Sequence, residues 1–163
     1  GAGDITVKND ERVLPVGRFL RKSKINELPQ LLNIFLGHMS IIGPRPLTAQ
    51  TFGSYSLTAQ ETIKRVRPGL SGVGSIVFRQ EEELMHGESA SVEFYNDVIA
   101  PYKAELEKWF VSNKSLILYF QCIMVTVWAV LVPDTQLPWR VFKGLPRPPD
   151  VLLGALNYSI TQR

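Results

Sequence analysis

The chain has 163 residues, 18 Lys and Arg against 15 Asp and Glu, a net charge of +3 and 45% hydrophobic residues. That length suits one domain with its own core. A charge so mild, without basic residues interleaved with exposed aromatics, excludes a dedicated nucleic-acid binder and suits an anionic membrane surface or a phosphorylated substrate.

Gly1 to Lys8 reads as an irregular or strand-like lead-in, and a start without Met or a signal-like segment reads as a piece of something longer. Asn9 is a fair helix cap, which would put Asp10 and Glu11 in a first turn, where the helix dipole favours negative charge. The same adjacent acids, ionised at neutral pH, are also the groups that could attack phosphorus and hold Mg²⁺. A short helix follows over about residues 17–22, with Phe19 and Leu20 on one side and Arg18, Arg21 and Lys22 on the other. The basic side is either a solvated face or a phosphate-facing one. Leu28, Leu31, Leu32, Phe35 and Leu36 then keep the spacing of one apolar helical face, which predicts a core helix ending at Gly37. Met39 to Ile42 is a brief apolar run closed by Gly43-Pro44-Arg45-Pro46. Prolines on both sides of Arg45 restrict the loop, and the planar guanidinium suits bidentate phosphate binding.

Thr58 to Lys64 predicts a helix leading into Arg65-Val66-Arg67-Pro68-Gly69. Gly69, Gly72 and Gly74 form a glycine-rich loop that is neither a Walker A motif nor a dinucleotide fingerprint. Turn formation and a phosphate cradle both fit it. Ser75 to Phe78 reads as a strand closed by Arg79, and Glu81-Glu82-Glu83 as a solvated acidic face. Neither His38 nor His86 has a second ligand at metal spacing. Ser89 or Ser91 can cap a helix starting near Val92 that Pro101 breaks or restarts, and Tyr102 to Ser112 is helical with a Glu105 and Lys108 pair outside.

Ser115 to Pro133 contains seventeen residues without charge, fewer than the ~20 of a straight membrane span, and three readings compete: a short span, a core helix and an interfacial helix. Cys122, the only cysteine, lies in this run; it excludes an intrachain disulfide and reads as an inert core or membrane-facing thiol. Five of the eleven prolines fall between Pro133 and Pro149, which predicts an extended segment. Trp139, Arg140, Phe142 and Lys143 fit either interfacial anchors or a tail packed on the core, and Val151 to Tyr158 allows a terminal helical turn or two.

Asn9 to Pro46, then Val66-Arg67-Pro68-Gly69, then Trp109-Phe110-Val111-Ser112-Asn113-Lys114-Ser115 resemble the bacterial sugar transferases, the monotopic phosphoglycosyl transferases, over roughly residues 8–132. The resemblance implies a mainly α fold with a small β element: a membrane-associated catalytic domain over residues 1–132, truncated before a family membrane helix, then a Pro-rich segment over 133–163. It implies an enzyme that moves a sugar-1-phosphate from a nucleoside diphosphate sugar, typically uridine-linked, to polyprenyl phosphate through a covalent aspartyl intermediate. Such a step initiates exopolysaccharide or lipopolysaccharide assembly at the cytoplasmic face of a bacterial inner membrane. By the same resemblance Asp10 and Glu11 are catalytic and hold Mg²⁺, while Arg21, Arg45, Pro46, Arg67, Arg79 and Glu107 contact substrate. Its partners would be the sugar nucleotide, the polyprenyl phosphate and the membrane surface, without nucleic acid and with a homo-oligomer left open. Two departures stand out: Glu107 is one methylene longer than the family's Asp, and Tyr119 replaces a common Asp. They favour the rival reading, a non-catalytic membrane-surface or protein-interaction module on the same fold.

Overall fold

The structure is a computed structural model that describes residues 28–80, 92–132 and 135–158. The predicted basic helix over 17–22 and the residues Asp10, Glu11, Arg21, Glu81 to Glu83, His86, Ser89 and Ser91 lie outside that range. The described chain is mainly helical with one small sheet, as the resemblance implies.

Helix α1 (Leu28–Phe35) ends as its sequence predicts. Gly37 takes the left-handed conformation, φ +78°, while the His38 amide donates to Asn33 O and the Gly37 amide to Ile34 O. This paired closure satisfies carbonyls that a helix end otherwise leaves open. The expectation that α1 is core is not met. Leu31, Leu32, Phe35 and Leu36 are 50%, 59%, 87% and 55% exposed. Periodicity specifies that a helix has an apolar face but not what covers it.

Strand β1 (Ser40–Ile42) pairs in parallel with β2 (Gly69–Ser71), with Ser40 opposite Gly69 and Ile42 opposite Ser71. Between them lie α2 (Ala49–Gly53), capped by Thr48, and α3 (Leu57–Ile63), capped by Ser56, close to the helix predicted over 58–64. The strand expected at Ser75 to Phe78 is instead the short helix α4 (Val73–Val77). The extended segment starts six residues earlier, at Gly69, where glycines let two backbones meet. A four-residue apolar run cannot by itself distinguish a strand from a buried helical turn.

Pro101 marks a restart, as expected: the α-helix begins anew at Ala100 with Pro101 in its first turn, although the helical run is not interrupted. Helix α5 (Val92–Phe94) passes through a π turn (Tyr95–Ile99) into α6 (Ala100–Ser112). Proline lacks the amide for an i to i−4 bond and its ring crowds that carbonyl. The wider turn, in which the Ala100 amide reaches Tyr95 O, relieves both problems and keeps the axis continuous. The expected Lys108 and Glu105 ion pair is present on the surface at 2.9 Å.

Helix α7 (Leu116–Leu131) buries Leu118, Cys122, Val125 and Ala129 on one stripe, while Leu116, Ile117, Phe120, Met124 and Leu131 stay exposed. The helix is partly core and partly exposed, which none of the three readings describes by itself, and among the described residues no helix is long and apolar enough to cross a membrane. The Pro-rich segment is more regular than expected. It forms α8 (Leu137–Val141) and a 3₁₀ turn (Asp150–Leu152), and buries Phe142, Leu152 and Leu156 in the same core as α6 and α7. Tyr102 OH donates to Pro146 O, and Trp139 Nε1 to Leu156 O. The packed tail is therefore the correct alternative, because aromatic burial outweighs the regularity that prolines remove.

The glycines explain the sheet. A Cβ on Gly69 or Gly72 would strike the Gly43 backbone, and one on Gly43 would lie 2.7 Å from Arg67 O. Neither the turn nor the phosphate cradle considered for Gly69 and Gly72 is needed: close backbone approach requires both. Gly69→Ala should therefore lower unfolding free energy by about 2–4 kcal/mol, since the neighbour is backbone and cannot give way. Gly53→Ala, with nothing within 4 Å, should be neutral or gain about 0.5 kcal/mol. Urea denaturation of the two variants checks this contrast.

Candidate active site

Two arginine-bearing turns meet at the edge of the strand pair. Arg67 and Pro68 lead into β2, whose register is set by the Ser40 amide donating to Pro68 O. The chain leaving β1 doubles back, because the Gly43 amide donates to Ser71 O and the Gly69 amide to Pro44 O, at 2.9 and 2.8 Å. Pro44 thus returns to the start of β2, and Arg45 and Pro46 emerge exposed beside the Arg67 turn. Arg67 is also exposed, with its Nη1 next to Gly37 at the end of α1. The site has an open cationic rim on a rigid backbone base, an arrangement suited to phosphate oxygens.

Glu107 supports that base from α6. It is buried at 6% exposure, and its carboxyl accepts the backbone amides of Gly74 in α4 and Arg45. Burial pushes its pKa up from 4.5 to about 8; Lys103 and the two amides pull the other way without overcoming desolvation. Oε2 and Ser75 Oγ are buried with no hydrogen-bond partner. An acid held neutral, with its acceptor capacity directed to amides, does not fit a cation ligand. Among the described residues no group of three or more His, Cys, Asp and Glu gathers to hold a metal. The assigned Mg²⁺ ligands, Asp10 and Glu11, are outside those residues, as is Arg21.

Arg79 is placed differently. It follows the far end of α4 and lines a crevice with Thr135, Trp139 and Asn157 of the C-terminal segment. Gly74, above Glu107, is five residues back, roughly one and a half helical turns. The structure thus brings together Arg45, Pro46, Arg67 and Glu107, and sets Arg79 at the other end of α4.

Helix α7 ties the strand pair down from below. Tyr119 OH and Ser40 Oγ are 3.2 Å apart, and Ser71 Oγ and Thr126 Oγ1 3.0 Å apart. Tyr119, which departs from the family pattern, therefore supplies a polar tether to β1 itself. Sequence reasoning missed both hydroxyl pairs, although a signal existed: Tyr119 and Thr126 are seven residues apart, on one helical face of an otherwise apolar run. Thr126 Oγ1 also contacts Cys122 O at 2.7 Å. Burial first, and Glu107 second, push the Cys122 thiol up to about 12, consistent with an inert core group.

A parallel strand pair edged by arginine turns and backed by an apolar helix defines a helical domain with an exposed cationic rim. The bacterial sugar transferase family matches residues 1–133, and the chain belongs to that family. It is 32% identical over 113 residues to the undecaprenyl-phosphate galactose phosphotransferase of Salmonella typhimurium, covering 69% of this chain and 20% of that protein. Against the exopolysaccharide production protein ExoY of Sinorhizobium fredii it is 36% identical over 124 residues, 76% of this chain and 47% of that protein. Over 71 residues it is 45% identical to the UDP-glucose:undecaprenyl-phosphate glucose-1-phosphate transferase of Caulobacter vibrioides, 42% of this chain and 27% of that protein. The matched stretches span from a fifth to about half of these relatives' length.

The buried acid gives the stability a pH dependence. Between about 4.5 and 8 the folded chain keeps the Glu107 proton and the unfolded chain has lost it, so stability present at low pH falls as pH rises. Glu107→Gln should flatten this limb and leave the variant more stable than the wild type near pH 8, by on the order of 2 kcal/mol. Urea midpoints at a series of pH values measure it; parallel curves for the two proteins would remove Glu107 as the cause.

Proposed function

We propose that this domain transfers a sugar-1-phosphate from a nucleoside diphosphate sugar, of the UDP-linked kind, to polyprenyl phosphate. The observation that carries the reading is the convergence of Arg45 and Arg67 on one backbone platform, in a chain whose relatives are named for this transfer. The Asp10 carboxylate attacks the phosphorus that bears the sugar, and the bond to the bridging oxygen breaks. Nucleoside monophosphate leaves, and the sugar phosphate stays on Asp10 as a mixed anhydride. A phosphate oxygen of the polyprenyl acceptor then attacks the same phosphorus, expelling the Asp10 carboxylate and forming a polyprenyl diphosphate sugar.

Arg45 and Arg67 bind phosphate oxygens and spread the transition-state charge, with the fork of each guanidinium fixing orientation. Arg21 adds positive charge near the donor, and Arg79 faces the more remote part of it. Glu11 orients Asp10, and the two acids are the groups that would hold Mg²⁺, which when bound neutralises diphosphate charge. The acceptor is a lipid, so the domain works at a membrane surface, the cytoplasmic face of the bacterial inner membrane. The exposed apolar side chains of α1 and α7 suit that location, since large apolar side chains left exposed together on one helix face mark interaction sites. The pathway served is the assembly of an exopolysaccharide or lipopolysaccharide glycan.

Incubating the chain with UDP-sugar ³²P-labelled in the phosphate that bears the sugar, with Mg²⁺ and without lipid, should leave labelled phosphosugar on Asp10; Asp10→Asn should abolish the adduct with an unchanged circular dichroism spectrum. Label retained in Asp10→Asn would remove Asp10 as nucleophile. For the surface, Phe35→Glu together with Phe120→Glu should cut co-sedimentation with anionic phospholipid vesicles by about tenfold or more, because each buried apolar ring contributes roughly 2 kcal/mol. Binding at the wild-type level would show that these faces do not meet lipid.

A further inference from the structure

Glu107 is the one charged residue buried among the described residues, and it lies beneath backbone. A core position of that size filled by Leu or Met would carry no desolvation cost. What a carboxyl adds there is an acceptor, and the donors show where it acts. In Pro44-Arg45-Pro46 both prolines lack an N–H, so the Arg45 amide is the only backbone donor of the three residues. That amide goes to Glu107, and the Pro44 carbonyl is taken by the Gly69 amide. Two bonds of opposite sense thus fix the loop, one to β2 and one to α6. The prolines set their own φ values, but only these bonds orient the Arg45 peptide relative to the domain.

We infer that Glu107 is a positioning residue for Arg45: by accepting the single free amide of the Pro-Arg-Pro turn, it sets the direction in which the guanidinium leaves the loop. It does not itself touch substrate. Its second bond, from the Gly74 amide in the first turn of α4, fixes the carboxyl in place, and Gly74 carries no Cβ because one there would overlap Glu107 Oε1. The extra methylene of Glu, relative to an Asp at this position, gives the reach from α6 to both amides. The inference rests on the proposed role of Arg45 in binding the donor diphosphate, and it assigns the part that keeps that arginine aimed.

The geometry supplies its own test, because Gly74→Ala displaces the Glu107 carboxyl without altering either Glu107 or Arg45. The displaced atom is the end of a side chain, so this variant is the one that keeps the fold. Amide hydrogen exchange at Arg45 and equilibrium binding of UDP are measured on the full chain for the wild type, Gly74→Ala, Glu107→Ala, Glu107→Gln, Arg45→Ala and the Glu107→Ala/Arg45→Ala pair. Losing the buried acceptor should speed Arg45 exchange and weaken UDP binding, each about tenfold, in Gly74→Ala and in Glu107→Ala. Glu107→Gln, which keeps a carbonyl acceptor, should stay close to the wild type in both. The double variant should bind UDP no more weakly than Arg45→Ala alone, because a residue acting only through Arg45 has nothing left to orient.

Wild-type exchange at Arg45 in Gly74→Ala, or additive losses in the double variant, would overturn the inference. UDP binding undiminished in Arg45→Ala would instead overturn the donor role of Arg45, and the exchange rates would still report whether Glu107 holds the turn. Should Glu107→Ala fail to fold, Gly74→Ala and Glu107→Gln decide the question by themselves.

Discussion

The site depends on a steric fact about three glycines. Gly43, Gly69 and Gly72 let the chain leaving β1 lie against the chain entering and leaving β2 at distances that leave no room for a Cβ. Only at that separation can the Gly43 amide reach Ser71 O and the Gly69 amide reach Pro44 O, the two bonds that fold the Arg45 turn back towards Arg67. Among the described residues neither arginine forms an ion pair; both are placed by backbone. A cationic rim arranged this way keeps its guanidinium groups available, because no carboxylate of the described residues is used to fix them.

Beneath the backbone lies a polar underside that would be unusual in a domain evolved for stability alone. Glu107, burdened by desolvation, sits on the α6 side, and the hydroxyl pairs of Tyr119 with Ser40 and Thr126 with Ser71 sit on the α7 side. Each is a buried or half-buried polar contact placed directly under the strand pair or its turns. Apolar side chains there would cost less, but they would not fix the register of two three-residue strands, which have few ladder bonds of their own. Precision at the rim is thus obtained from polar groups in the core, one of which, Glu107, lowers stability as pH rises.

The two departures from the family pattern acquire physical roles in this arrangement. Glu107 spans the gap from α6 to two amides, and Tyr119 reaches β1 with its phenol. In the sequence they favoured a chain that had lost its site; in the structure both support the platform that bears Arg45. Helices α1 and α7 meanwhile present apolar side chains outward, while the described residues gather a separate buried core.

Local rules determined much of this from the sequence. The closure of α1 at Gly37, the extent of α3, the surface pair of Glu105 and Lys108, and the rigidity of Pro44-Arg45-Pro46 depend on residues within a few positions of one another, where propensity and spacing carry the information. The long ordered run through Pro46 also made the family legible, and with it the acids at Asp10 and Glu11, which lie outside the described residues. What tertiary structure alone decided depends on partners far apart in the chain: that Gly69 and Gly72 serve a backbone contact with Gly43, that the apolar face of α1 points outward, that Phe142 and Leu152 belong to the core, and that Glu107 holds the Arg45 amide. A side-chain pattern states which face is apolar or which residue is small. The free energy of that face or residue is set by what the fold brings against it, and no local rule contains that.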